Sequence, residues 1–172
     1  MDDKIYTAFL ERQFQDGLAL VLASDLVGLV PLGGPPPAHY IVQLRCKGLV
    51  RDGKGEVIEA DYFEAGVWFP PDYLRRVEPF QVVTWFGPPN VFHPNISDRG
   101  PFICVGKLAP GTSLVDIIYQ VYEIVTYTKV TMREDDALNK SACAWARQNK
   151  SRFPVDKRPL KRRTLTLEVE PR

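Results

Sequence analysis

Two histidines and three cysteines are all that this chain has of the side chains that favour transition metals, and Cys46, Cys104 and Cys143 stand too far apart for a zinc cage. An odd number of cysteines at wide spacing gives no disulfide framework either. No metal is expected, and the thiols are expected to be free. Apolar runs stay short of the roughly 18 residues of a membrane span, and acids stand at Asp2 and Asp3 where a signal peptide would be basic. The expectation is a cytoplasmic protein without a membrane segment. A glycine-rich phosphate loop is missing, so no bound nucleotide is expected. An excess of charge is also missing: the formal net charge is +1, so the whole-molecule field offers no reason to expect nucleic acid. Tyr119, Tyr122, Tyr127 and the three tryptophans have no basic stripe among them and read as packing residues.

What is present suits one domain with a real core: 172 residues, 45% of them hydrophobic, with no internal repeat. From Tyr6 to about Val27, the positions Tyr6, Leu10, Phe14, Leu18 and Val21 make a helical stripe that ends before "LGGPPP". "HYIVQLRCKGLV" then puts Tyr40, Val42, Leu44 and Cys46 on one face of a strand, and "RDGKG" signals a hairpin. A second strand, "DYFEAGVWF", aligns Phe63, Ala65, Val67 and Phe69, and a third is read at Phe80 to Phe86. The fourth has only the short pieces around Val91 and Ile103 to draw on. Leu114, Ile117, Ile118, Val121, Ile124 and Val125 form the strongest helical stripe, with Ser113 and Asp116 as its capping box. A last helix, "DALNKSACAWARQN", carries Leu138, Ala142, Trp145 and Ala146 on one face and takes Asp136 as N-cap. These elements predict an α+β fold: a four-stranded antiparallel meander with an N-terminal, a long central and a C-terminal helix. The predicted domain covers residues 1–153. Residues 154–172 are read as a solvated tail with basic residues Lys157, Arg158, Lys161, Arg162 and Arg163.

Between the third strand and the central helix lies "VFHPNISDRGPFICVGKLAPG", which is neither helix nor strand in pattern. Cys46 falls on an apolar strand face and Cys143 in mid-helix, so both are expected to be buried. Cys104 instead follows Gly100 and Pro101 in an extended stretch, where a thiol can meet a large partner. Asn95 precedes it in the same loop, and an asparagine there can aim an amide donor at a developing oxyanion or tie down the loop. His93 could serve as the base of a cysteine hydrolase, although such enzymes pair thiol and imidazole from separate elements.

With its histidine, proline and asparagine ahead of a cysteine, the segment resembles the ubiquitin-conjugating enzymes, whose motif would here be His93, Pro94, Asn95 and Cys104. The resemblance runs from about Ile5 to Phe153, through "LAPGTSL" and "MREDDALNKSACAW", and puts Asp136 at the family's acidic position facing the cysteine. "RCKGLVR", "FHPNIS" and "WARQNKSRFPVD" are most similar to the bacterial branch found in antiviral ubiquitin-like conjugation operons. Leu108 stands where a tryptophan is common. The resemblance implies that Cys104 carries a ubiquitin-like modifier as a thioester and passes it to a target lysine. Asn95 would be oxyanion donor or loop brace, Asp136 would orient the incoming amine, and His93 and Pro94 would support the loop. The implied partners are a ubiquitin-like protein, an activating enzyme and a target protein; ATP is consumed by the activating enzyme, and no cofactor is implied for this chain. A domain of the same shape that binds partners without chemistry is the alternative.

Overall fold

In the computed structural model, which describes residues 3–162, helix α1 (Lys4–Leu22) begins where Asp3 accepts from the N–H groups of Ile5 and Tyr6 at 3.1 and 3.2 Å. It ends before Val27. The Ser24 hydroxyl accepts from Leu26 N–H at 3.0 Å, a local side-chain turn that competes with the helical ladder, and the chain leaves as strand β1 (Val27–Leu32). This is the fourth strand of the sheet. The expectation that pieces near Val91 and Ile103 supply it is corrected: those residues make only isolated bridges, Val50 with Val91 and Ile96 with Ile103. Pro31 masked the strand in the sequence. Arg45 N–H donates to the Leu26 carbonyl at 2.7 Å, so the even residues of β1 bond to the neighbouring strand and Pro31 points to the free edge, where its missing N–H costs nothing.

Strand β2 (His39–Leu44) buries Tyr40, Val42 and Leu44, followed by Cys46, as the alternation predicts. The strand expected to continue to Val50 is instead two. After Cys46 the chain passes into a separate hairpin, β3 (Gly48–Arg51) and β4 (Val57–Ala60). Gly48 permits the crossing, because a Cβ there would lie 2.5 Å from the ring of Phe63. In the turn, Asp52 accepts from the N–H groups of Lys54 and Glu56 at 2.9 and 2.8 Å. Strand β5 (Phe63–Trp68) returns to the main sheet. The segment read as a third strand from Phe80 opens instead with a helical turn, α2 (Pro79–Val82), and only then becomes β6 (Val83–Gly87). The sheet order is β1-β2-β5-β6, antiparallel throughout, a meander with the β3–β4 hairpin inserted.

Helix α3 (Leu114–Val125), capped by Ser113 accepting from Asp116 N–H at 3.1 Å, lies against this sheet with all six residues of its predicted stripe buried. Helix α4 (Lys140–Gln148) takes Asn139, not Asp136, as its N-cap; the Asn139 carboxamide accepts from Ala142 N–H at 2.9 Å. Alongside the main core sits a second cluster of Leu49, Phe92, Tyr127, Ala142 and Ala146, with Trp145 and Phe153 against it. This cluster fastens the irregular loop to the hairpin and α4. No helix of the described residues is long and apolar enough to cross a membrane.

The tail read from residue 154 onward has a core face after all: Leu160 is buried, the Tyr122 hydroxyl donates to the Arg158 carbonyl at 2.7 Å, and Arg162 N–H donates to the Ala23 carbonyl at 2.8 Å. Two of its basic side chains are locally paired, Arg158 with Asp156 at 2.6 Å and Arg162 with Asp25 at 3.3 Å. Arg163 and the residues after it lie outside the described residues.

Candidate active site

The loop between β6 and α3 pairs some of its own peptide groups, Ser97 N–H with the Phe102 carbonyl at 2.9 Å among them, and satisfies others through side chains and neighbouring segments. Phe92 is held in the second cluster, and its N–H donates to the Leu49 carbonyl at 2.8 Å. His93 is fully buried. Its Nδ1 accepts from Asn95 N–H at 3.0 Å, which assigns the proton to Nε2, and its ring meets the edge or face of Tyr127 at 4.3 Å and 69°. Burial holds the imidazole pKa down to about 3, so it is neutral at any physiological pH. With its one lone pair already occupied and its basicity suppressed, such a group is poorly suited to take a proton from Cys104, which weighs against a cysteine hydrolase.

Asn95 is the centre of the arrangement. Its carbonyl oxygen on the main chain accepts from Cys104 N–H at 2.8 Å, its Nδ2 donates to the Cys104 carbonyl at 3.2 Å, and its Oδ1 accepts from Thr131 N–H at 2.9 Å. The carboxamide thus joins the segment carrying Cys104 to the connector between α3 and α4, with both of its ends on backbone. Pro94 adds its carbonyl, which accepts from Leu138 and Asn139 N–H at 2.9 and 3.2 Å and so docks the start of α4. Cys104 itself is half-buried, whereas Cys46 and Cys143 are buried. Burial pushes the Cys46 thiol up to about 12.

Asp136 ends a 3-10 turn, Glu134–Asp136, and is exposed, its carboxylate 3.4 Å from Arg133 Nε. The helix-cap role read for it belongs to Asn139. Asp136 is nevertheless brought to this end of the molecule, two residues ahead of Leu138, whose N–H is bonded to Pro94.

No protein-family model matches the chain, and no curated protein does. Solved structures do match. The E2 domain of a Toxoplasma gondii ubiquitin conjugating enzyme superposes with a TM-score of 0.54 over 83% of this chain and 90% of that one, at 16% sequence identity. The fold is the ubiquitin-conjugating fold. At that identity the likeness is one of architecture, and in this ubiquitin-conjugating fold the loop carrying His93, Asn95 and Cys104 is assembled by the bonds given above.

Residues without a marker in the sequence complete the site. Tyr127 follows α3 with φ of 61°, a left-handed conformation in which a non-glycine residue costs about 1 kcal/mol or more. Glycine could take that conformation freely but could not make the contacts of Tyr127: its hydroxyl donates to the Phe92 carbonyl, and its ring packs on His93 and, at 4.9 Å, on Phe153. Thr131 meets Asn95 through its backbone N–H, which no side-chain pattern reports.

Proposed function

We propose that this chain is a ubiquitin-conjugating-like acyl carrier, with Cys104 as the acceptor thiol. The observation that carries this reading is Cys104 itself: a half-buried thiol whose N–H and carbonyl are both bonded to Asn95, in a chain with the ubiquitin-conjugating fold. In the first step the Cys104 sulfur attacks the thioester carbonyl of a modifier on its activating enzyme. The tetrahedral intermediate expels the donor sulfur, which leaves as a thiol after taking up the proton lost by Cys104. In the second step a target amine attacks the new thioester, loses a proton, and releases Cys104 as a thiol. Both steps exchange an already activated acyl group, so no strong base fixed beside the sulfur is required. The buried, neutral His93 is consistent with this.

Asn95 is proposed as loop brace first, since both ends of its carboxamide bind backbone; its second Nδ2 hydrogen is left for the oxyanion. Asp136, exposed near the docked start of α4, is proposed to orient the incoming ammonium and favour its reactive form. His93 and Pro94 support the loop. The partners proposed are a ubiquitin-like protein, an activating enzyme that consumes ATP, and a target lysine, and the setting proposed is bacterial antiphage conjugation, on the stretches "RCKGLVR", "FHPNIS" and "WARQNKSRFPVD".

The test is thioester formation with candidate activating enzymes and modifiers, read on gels with and without reductant. Wild type and Cys46→Ser should form a reducible adduct, while Cys104→Ser should give an oxygen ester or nothing. Identical patterns for wild type and Cys104→Ser with an enzyme pair known to be competent would replace this reading by a non-catalytic binding domain of the same fold.

A further inference from the structure

Lys129 lies in the connector between α3 and α4, and its ammonium donates to the carbonyl of Val105, the residue after Cys104, at 2.5 Å. Most lysines hold their charge in water, where it is best solvated. This one is half-buried, and none of the ion pairs among the described residues includes it. Drawing an ammonium inward costs solvation and rotamer freedom, which a charged donor on a backbone carbonyl offsets. The opposite surface is shaped for it. Gly106 has φ of 91°, and a Cβ there would stand 3.1 Å from Lys129 Nζ and 3.8 Å from Cε. Any other residue at 106 would be strained and would crowd the ammonium.

The connector carrying Lys129 is itself fixed. Lys129 N–H donates to the Glu123 carbonyl at 2.9 Å, Thr131 N–H donates to the Asn95 side chain at 2.9 Å, and the Cys143 thiol donates to the Thr131 carbonyl at 3.5 Å. One fixed segment therefore bears on consecutive carbonyls of the loop segment that holds the thiol: on Cys104 through Asn95, and on Val105 directly through Lys129.

We propose that Lys129 is a positioning residue for the Cys104 reaction, its ammonium and Asn95 forming a two-sided clamp that fixes the orientation of the peptide bearing the sulfur. Its role in a reaction rests on the acyl-carrier reading; the clamp does not. An acyl transfer needs the sulfur on one line of approach, and freedom in the peptides on either side of it spreads that approach over many orientations.

The experiment measures amide hydrogen exchange of the full chain, residue by residue, together with single-turnover charging and discharge. Lys129→Met should raise exchange of the Cys104 amide, the one bonded to Asn95, by about tenfold or more, with the amides of α3 and the sheet unchanged. Lys129→Arg, which keeps a charged donor, should return it to within about threefold of wild type. Gly106→Ala should loosen the same amide, and adding Lys129→Met to it should have little further effect, because both changes break one contact. In the chemical arm, Lys129→Met should slow charging and discharge by the same factor, and Lys129→Arg should restore both. The proposal is overturned if the Cys104 amide in Lys129→Met exchanges as in wild type, or if all amides loosen equally. If wild type fails to charge while Lys129→Met still loosens Cys104 alone, the clamp stands and the acyl-carrier reading falls.

Discussion

Helix α3 and the loop that leads into it are neighbours in the chain and both bury apolar side chains, Ile96, Ile103 and Val105 in the loop, but the loop adds directed bonds through its polar side chains. Along α3, Leu114, Ile117, Ile118, Val121 and Ile124 each have no exposed surface, and the helix is fixed by non-directional burial against the sheet, about 1.5–3 kcal/mol for each such side chain. In the loop, His93, Asn95 and Pro94 act through directed hydrogen bonds to particular N–H and carbonyl groups, each worth about 1 kcal/mol net. The first region tolerates any sequence of the right period and volume. The second depends on single atoms, which is why chemistry can be placed there with fixed geometry.

The comparison breaks most sharply at the centre of α3. Ile118→Ala should destabilise the domain by about 2–5 kcal/mol, read by urea denaturation, without selectively altering the reactivity of Cys104. Asn95→Ala should cost less, about 1–3 kcal/mol for its lost buried bonds, but should impair both charging and discharge, because the loop segment bearing Cys104 loses its brace. An oxyanion role alone would leave the melting temperature unchanged and spare charging more than discharge, so stability and single-turnover kinetics on one variant separate the two.

His93 sharpens the contrast through pH. Its imidazole is neutral in the fold, with the pKa held at about 3 by burial, while in the unfolded chain it returns to the ordinary value near 6.5. The unfolded state therefore binds the extra proton between those values, and the stability His93 contributes is present above pH 6.5 and is lost as pH falls toward 3. The slope is about 1 kcal/mol per pH unit within that window. In His93→Gln the stability curve should be flatter by that amount from pH 6 to pH 4, and equal slopes in the two proteins would remove His93 as the source. The smallest effect belongs to Asp136→Ala. Its side chain is 58% exposed and its ion pair with Arg133 is a surface one, so stability should shift by less than about 0.5 kcal/mol. Charging should proceed as in wild type, while transfer to free lysine slows and is partly restored at higher pH. Equal slowing of both steps would take Asp136 out of the reaction.

The same contrast explains what could be read in advance. The period of two at Tyr40, Val42 and Leu44 and the period near four along α3 survive in the fold because each is set by which face is buried. β1 was hidden because "VGLVPL" contains a glycine and a proline, and only the edge position, with Pro31 turned outward, makes that composition a strand. The cap of α4 was misplaced by three residues, since Asp136 and Asn139 are equally good caps in isolation and the bonds from Leu138 and Asn139 to Pro94 decide between them. The burial of Cys46 and Cys143 follows from the patterns around them, and in the candidate site His93, Asn95 and Cys104 stand together in one loop.

By itself, then, the sequence determined which faces are apolar, and through them the elements α3, β2 and β5 and the burial of two thiols, because burial depends on periodicity that any single strand or helix displays. Tertiary structure alone decided that β1 forms the sheet edge and that Leu160 anchors residues 154–162. It alone also brought Thr131, Tyr127 and Lys129 against the loop of Cys104. Each of those hydrogen bonds has a backbone N–H or carbonyl at one end, a group every residue carries alike, so only the folded chain can say which of them meet.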